Sequence, residues 1–146
     1  MTPRTLRTVA LPCALLAIAQ MAVAAPPKTM FLDHSSAAVM DSKTALAIMA
    51  EGFTAKVLKV YPASKFGFVS QVEGGLTGNG TCVITARVMM MQLTPTMKVM
   101  LFRPQETATT FDAQPGATAD RCKQLAKTKL KEAVTSVASS LVKAKG

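Results

Sequence analysis

Five methionines crowd one short stretch: Met89, Met90 and Met91 run together, and Met97 and Met100 follow after a turn. Successive side chains of a β-strand alternate between its faces, so Met89 and Met91 share a face and stand opposite residues of the strand that carries Met97 and Met100. Thioethers are soft, neutral donors of the kind that suits Cu(I). Met89, Met91, Met97 and Met100 are therefore a candidate metal site. Methionine also fills irregular cores and lines pliable binding grooves, and core filling is the leading reading here. The first expectation is accordingly no cofactor, with Cu(I) as the alternative.

Charge supplies the second candidate. In the C-terminal segment Arg121, Lys123, Lys127, Lys129, Lys131, Lys143 and Lys145 stand against only Asp120 and Glu132. Such a field steers acidic partners towards the segment. Lys123, Lys127, Lys129 and Lys131 are the candidate partner-binding residues, and the expected partner is an acidic protein or an anionic component of the cell envelope. The competing reading is a solvated face whose lysines serve helix propensity and solubility. No nucleic-acid partner is expected, since Tyr61 and a few phenylalanines offer little for bases to stack on.

The remaining chemistry-bearing residues point away from catalysis. Asp33-His34-Ser35 contains the three residue types of a hydrolytic triad, but neighbours in an extended segment point apart and cannot form the relay. His34 is the one histidine, and the eight carboxylates are scattered along the chain. The glycine-rich run Gly74 to Gly80 leads into a strand rather than into the Lys-Ser/Thr and helix of a phosphate loop. Asn79-Gly80-Thr81 matches a glycosylation acceptor, which matters only in a eukaryotic secretory pathway. The chain is read as a non-enzyme.

At the start of the chain, Arg4 and Arg7 precede the apolar run Val9 to Ala24, which ends on Ala22-Val23-Ala24. A basic start, a short apolar stretch and a small-residue end describe a secretory signal peptide, and the run is too short to span a bilayer. Cleavage after Ala24 removes Cys13 and leaves 122 residues carrying 15 basic and 8 acidic side chains, with no membrane-spanning segment expected. The product should be periplasmic or secreted. Cys82 and Cys122 then remain, and an even count in an oxidising compartment predicts a disulfide. The chain-entropy estimate for a loop of this size is about 4 kcal/mol.

Residues 25–40 read as a polar N-terminal arm and 41–146 as a single α+β domain. The apolar stripe Ala45, Leu46, Met49, Phe53, Val57 and Val60 predicts a helix from Asp41 to Tyr61, with Gly52 as its weak point and a strand over 53–61 as the alternative. Period-two patterns predict strands from Phe66 and from Thr81 to Gln92, joined at Asn79-Gly80. A third strand is expected over 97–103 and a short fourth over 107–111. The stripe Cys122, Ala126, Leu130, Ala133, Val137 and Leu141 predicts a long closing helix from about Ala117 to Lys143. The expected architecture is an antiparallel meander of three or four strands packed against two helices and held by one disulfide.

Overall fold

The computed structural model describes residues 30–96 and 100–144. The segment 1–24 read as a signal peptide, residues 25–29, Met97 and Lys145 lie outside the described residues. The elements in chain order are β1 (Phe31–Asp33), α1 (Ser42–Gly52), α2 (Ala55–Val60), β2 (Phe66–Leu76), β3 (Cys82–Leu93), β4 (Met100–Gln114) and α3 (Ala119–Lys143). The fold is α+β: a four-stranded sheet in the order β1-β2-β3-β4, with β2, β3 and β4 forming an antiparallel meander and β1 lying parallel to β2.

The two strongest sequence patterns shape the core. Along β3, Cys82, Ile84, Ala86, Val88 and Met90 are all buried, while Thr85 and Arg87 turn to the other face. All six residues of the α3 stripe are buried as well. These two surfaces pack together, and α1 closes over α3 through Ala45, Ile48 and Met49. Each fully buried Phe68, Met49, Ile84 or Leu130 contributes about 1.5–3 kcal/mol by leaving water. The Cys82–Cys122 disulfide forms, with a Cα–Cα distance of 5.5 Å, and ties the start of β3 to the first turn of α3.

Three expectations need correction. The helix from Asp41 to Tyr61 is neither continuous nor replaced by a strand; it stops at Gly52 and resumes at Ala55. Phe53 between them is extended (φ −90°, ψ 102°), and its N–H still donates to Met49 O at 3.1 Å. That kink drives the Phe53 ring into the core, 4.3 Å from the Phe68 ring and 5.8 Å from that of Phe31. Burial of an aromatic ring outweighs the few hydrogen bonds of an unbroken helix at a glycine that already disfavours it.

The third and fourth strands are one. β4 runs through Pro104, because the ladder shifts between Met90 and Met91: Met90 faces Glu106 while Met91 faces Pro104, leaving Gln105 as the extra residue. Proline lacks the N–H a central strand needs, and an edge strand with a bulge accommodates it.

The fourth strand of the sheet comes instead from the stretch read as an arm. Phe31, Leu32 and Asp33 pair with Phe68, Val69 and Ser70, and Val39 and Met40 are buried in the core. The hairpin at Asn79-Gly80 is present. Gly80 carries the positive φ (+76°), and its N–H donates to Thr77 O at 3.0 Å.

Candidate functional site

Asp33, His34 and Ser35 are divided by the alternation of the chain. Ser35 Oγ donates to Asp33 Oδ1 at 2.6 Å, and the buried Ser70 donates to the same oxygen at 2.7 Å. Ser35 Oγ also accepts the Val72 N–H at 2.9 Å. This knot anchors the short strand β1, and His34 projects to the opposite, exposed side with its backbone N–H on Ser70 O. Aspartate and serine bond directly to each other, with no histidine between them, so the group fastens β1 to β2.

The four candidate lysines do not act together. Lys123, Lys127 and Lys131 recur every four residues, which sets them on one stripe of α3. Lys123 lines a hollow with Ala38, Val39, Gly75 and Leu76. Lys131 lines a recess beside Ile48, Glu51 and Gly52. Lys127 lies close enough to Asp41 for its charge to act on that carboxylate without an ion pair between them. Lys129 is on the other side of the helix. Its Nζ sits 2.8 Å from Glu132 Oε2 and 3.5 Å from Asp112 Oδ2, and its side chain is only 14% exposed. The hydrogen bond to Glu132, then the two negative charges, hold the Lys129 ammonium above its ordinary pKa. Its backbone is engaged too, since Thr110 Oγ1 donates to Lys129 O at 2.8 Å. Among the described residues, the ion pairs all involve Lys129. The three lysines of the stripe therefore keep their charge available, whereas Lys129 fastens α3 to β4.

At the far end of the stripe α3 and the α1–α2 kink bound a groove of about 410 Å³. Val57, Ala138 and Val142 give it an apolar lining, to which Thr54, Thr135, Ser139 and Lys143 add polar groups. Val142 in this lining is 40% exposed. Sequence reasoning missed this groove, because it arises where two helices meet and neither marks it alone.

The methionines separate by face. Met90 points into the core, as Val88 and Ala86 do. Met89 and Met91 lie on the face turned away from the helices, opposite Val69 and Gly67 of β2. Met100 reaches back over Gly67, its methyl filling the space where a Cβ would stand. Met97 lies outside the described residues. Met30, not singled out from the sequence, arrives at the same spot. Its Cγ is 3.6 Å from the Cβ position of Gly67, the same distance as Met100 Sδ. Among the described residues, no group of three or more His, Cys, Asp or Glu side chains is arranged to hold a metal ion.

No known protein family matches the chain, and no curated protein matches its sequence. Among solved structures, the PelC dodecamer from Paraburkholderia phytofirmans aligns with a TM-score of 0.41 and 8% identity over 75% of this chain and 87% of that one. A single-substitution variant of the same PelC dodecamer gives 0.41 and 10% over 79% and 92%. Overlap of this degree carries no argument about function.

Proposed function

We propose that this protein is a small exported, non-catalytic binding or accessory protein that engages an acidic protein or an anionic envelope component through the lysine stripe of α3. The observation that carries the reading is the set Lys123, Lys127 and Lys131: three ammonium groups at four-residue spacing on a disulfide-anchored helix, none of them in an ion pair with another described residue. A fixed row of like charges attracts a polyanion without first having to order its own side-chain platform. Export is supported by the disulfide, which persists in an oxidising compartment, and by the basic and apolar start of the chain. No helix among the described residues is long and apolar enough to cross a membrane.

The test uses the mature protein on a heparin column and with vesicles of phosphatidylglycerol and of phosphatidylcholine. Retention on the anionic supports should fall as salt rises, because exposed charges are screened within about 10 Å at 0.1 M salt. It should be lost in the Lys123→Glu, Lys127→Glu, Lys131→Glu variant. Unchanged retention of that variant would remove the helix from consideration as the binding surface.

A further inference from the structure

We propose that Met30, Met91 and Met100 form a binding site for Cu(I) on the sheet face opposite the helices, directly above Gly67. The site is independent of the lysine stripe and lies on the other side of the molecule.

The sheet is apolar on both faces over part of its length. The main core lies between the sheet and the helices and takes Phe68, Val72, Val88 and Met90. Val69 and Leu93 are also buried, at 7% and 4% exposure, yet both stand outside that core. Val69 alternates with Phe68 and Ser70, so it projects from the opposite face, where Leu32, Met89 and Met91 also emerge. Further along the same face the lining turns polar, with Gln71, Glu73, Thr85 and Arg87. The apolar end is thus a separate patch, and its distinguishing residue type is methionine.

Three segments of the sheet bring a methionine beside Gly67 on that patch. Gly67 of β2 supplies a floor without a side chain. Met30 enters just ahead of β1, its position set by the Phe68 N–H donating to Met30 O at 2.8 Å. Met100 enters from the start of β4, with its methyl in the Cβ space of Gly67 and its Sδ 3.6 Å from that position. Met91 of β3 is the cross-strand partner of Gly67. All three are half-buried, open enough for an ion to enter and shielded enough to strip it of water. Met91's other neighbour in the ladder is Pro104, which brings no donor atom. The set is soft and neutral, with no imidazole, thiolate or carboxylate in it, and soft donors of this kind favour Cu(I) over Zn(II) or Cu(II).

The site differs from the one suggested by strand alternation alone. Met91 and Met100 remain, Met30 joins them, and Met89 sits one pleat away opposite Val69. Gly67 explains the selection, since a side chain at that position would displace the Met100 methyl and crowd Met30.

The experiment uses the intact mature protein with Ag(I) as a redox-inert stand-in for Cu(I), followed by native mass spectrometry and by NMR of ε-¹³C-methionine. One Ag(I) should bind per chain, shifting the methyl signals of Met30, Met91 and Met100 and leaving those of Met40, Met49 and Met90 in place. The Met30→Leu, Met100→Leu variant, nearly constant in volume, should bind Ag(I) about ten-fold more weakly or worse, a loss comparable with changes in the surroundings of known metal sites. Thioethers do not titrate, so affinity should stay level between about pH 5 and 8, a window in which a histidine site would weaken on acidification. Absence of an Ag(I) adduct, or methyl shifts spread over the core methionines, would overturn the proposal. The NMR result on the unmodified protein decides the matter even if the variant folds poorly.

Discussion

Gly52 and Val134 touch where α1 ends against α3: a Cβ on the glycine would overlap Val134 Cγ1 and lie 3.3 Å from Val134 Cβ. The glycine that weakens the helix is thus the one that lets two helices approach. Gly52→Ala gains helix propensity of about 1 kcal/mol but forces an overpacking cost of about 1–3 kcal/mol. The variant should be less stable in urea unfolding. Combined with Val134→Ala, it should cost less than the sum of the two single losses, with a coupling of about 0.5–3 kcal/mol as for residues in direct contact. Strict additivity would show that the contact is relieved by a small helix shift.

Replacing Cys82 and Cys122 together by alanine should lower stability by about 4 kcal/mol on the chain-entropy estimate. Urea titrations of the variant and of the oxidised protein measure the difference. Both sulfur-bearing residues are buried, at 0% and 2% exposure. Reductant should therefore act slowly on the folded protein and quickly in denaturant.

Asp41 caps α1 by accepting the Thr44 N–H at 2.8 Å. The hydrogen bonds from Thr44, first of all, hold the Asp41 carboxyl below its ordinary value of 3.8. A carboxylate depressed in this way adds stability that is fully present above the unfolded pKa and is lost as pH falls through the folded one. Asp41→Ala should therefore be less stable than the parent protein at neutral pH. The two urea midpoints should converge as the pH is taken below the ordinary carboxylate value. A gap that persists in acid would assign the effect to helix packing rather than to the charged cap.

Lys129 and the stripe should part company under mutation. Lys129→Gln breaks the links to Asp112 and Glu132 and should lower the melting temperature while retention on heparin hardly changes. Lys131→Gln should do the reverse, since it is exposed and makes no ion pair among the described residues. Equal loss of retention in both variants would mean that net charge alone matters. The Lys129 contribution has its own pH signature: an ammonium whose pKa is raised on folding stabilises below its unfolded pKa, and that benefit disappears as alkaline pH passes the folded value.

The parts of this fold that can be read from the residues are those whose signal lies within one element. The α3 stripe and the inward face of β3 follow from periodicity alone, and the disulfide follows from the two cysteines that remain once the apolar first segment is set aside. What escapes depends on residues far apart. The kink at Phe53 exists because Phe31 and Phe68 offer its ring a place, and no local pattern reports that. Strand β1 is three residues long and is held by Ser70 and Val72 through Asp33 and Ser35, so its sequence reads as a polar loop. Pro104 reads as a break, since the bulge and edge position that tolerate it are properties of the sheet. Lys129 has Glu132 three residues on along the helix, but its second partner, Asp112, arrives from β4. Met30 belongs to a stretch whose polar pattern hides its place beside Gly67.

The bond between Cys82 and Cys122 encloses all of β3 and β4 and the opening of α3 in one covalent ring. A protease that cuts anywhere inside the ring leaves both pieces attached. Such a nicked molecule would run as a single band on a non-reducing gel and as two fragments once reduced. Backbone cleavage there need not release either half, so the helix that bears the lysines and the strands that bear the methionines would stay on one particle.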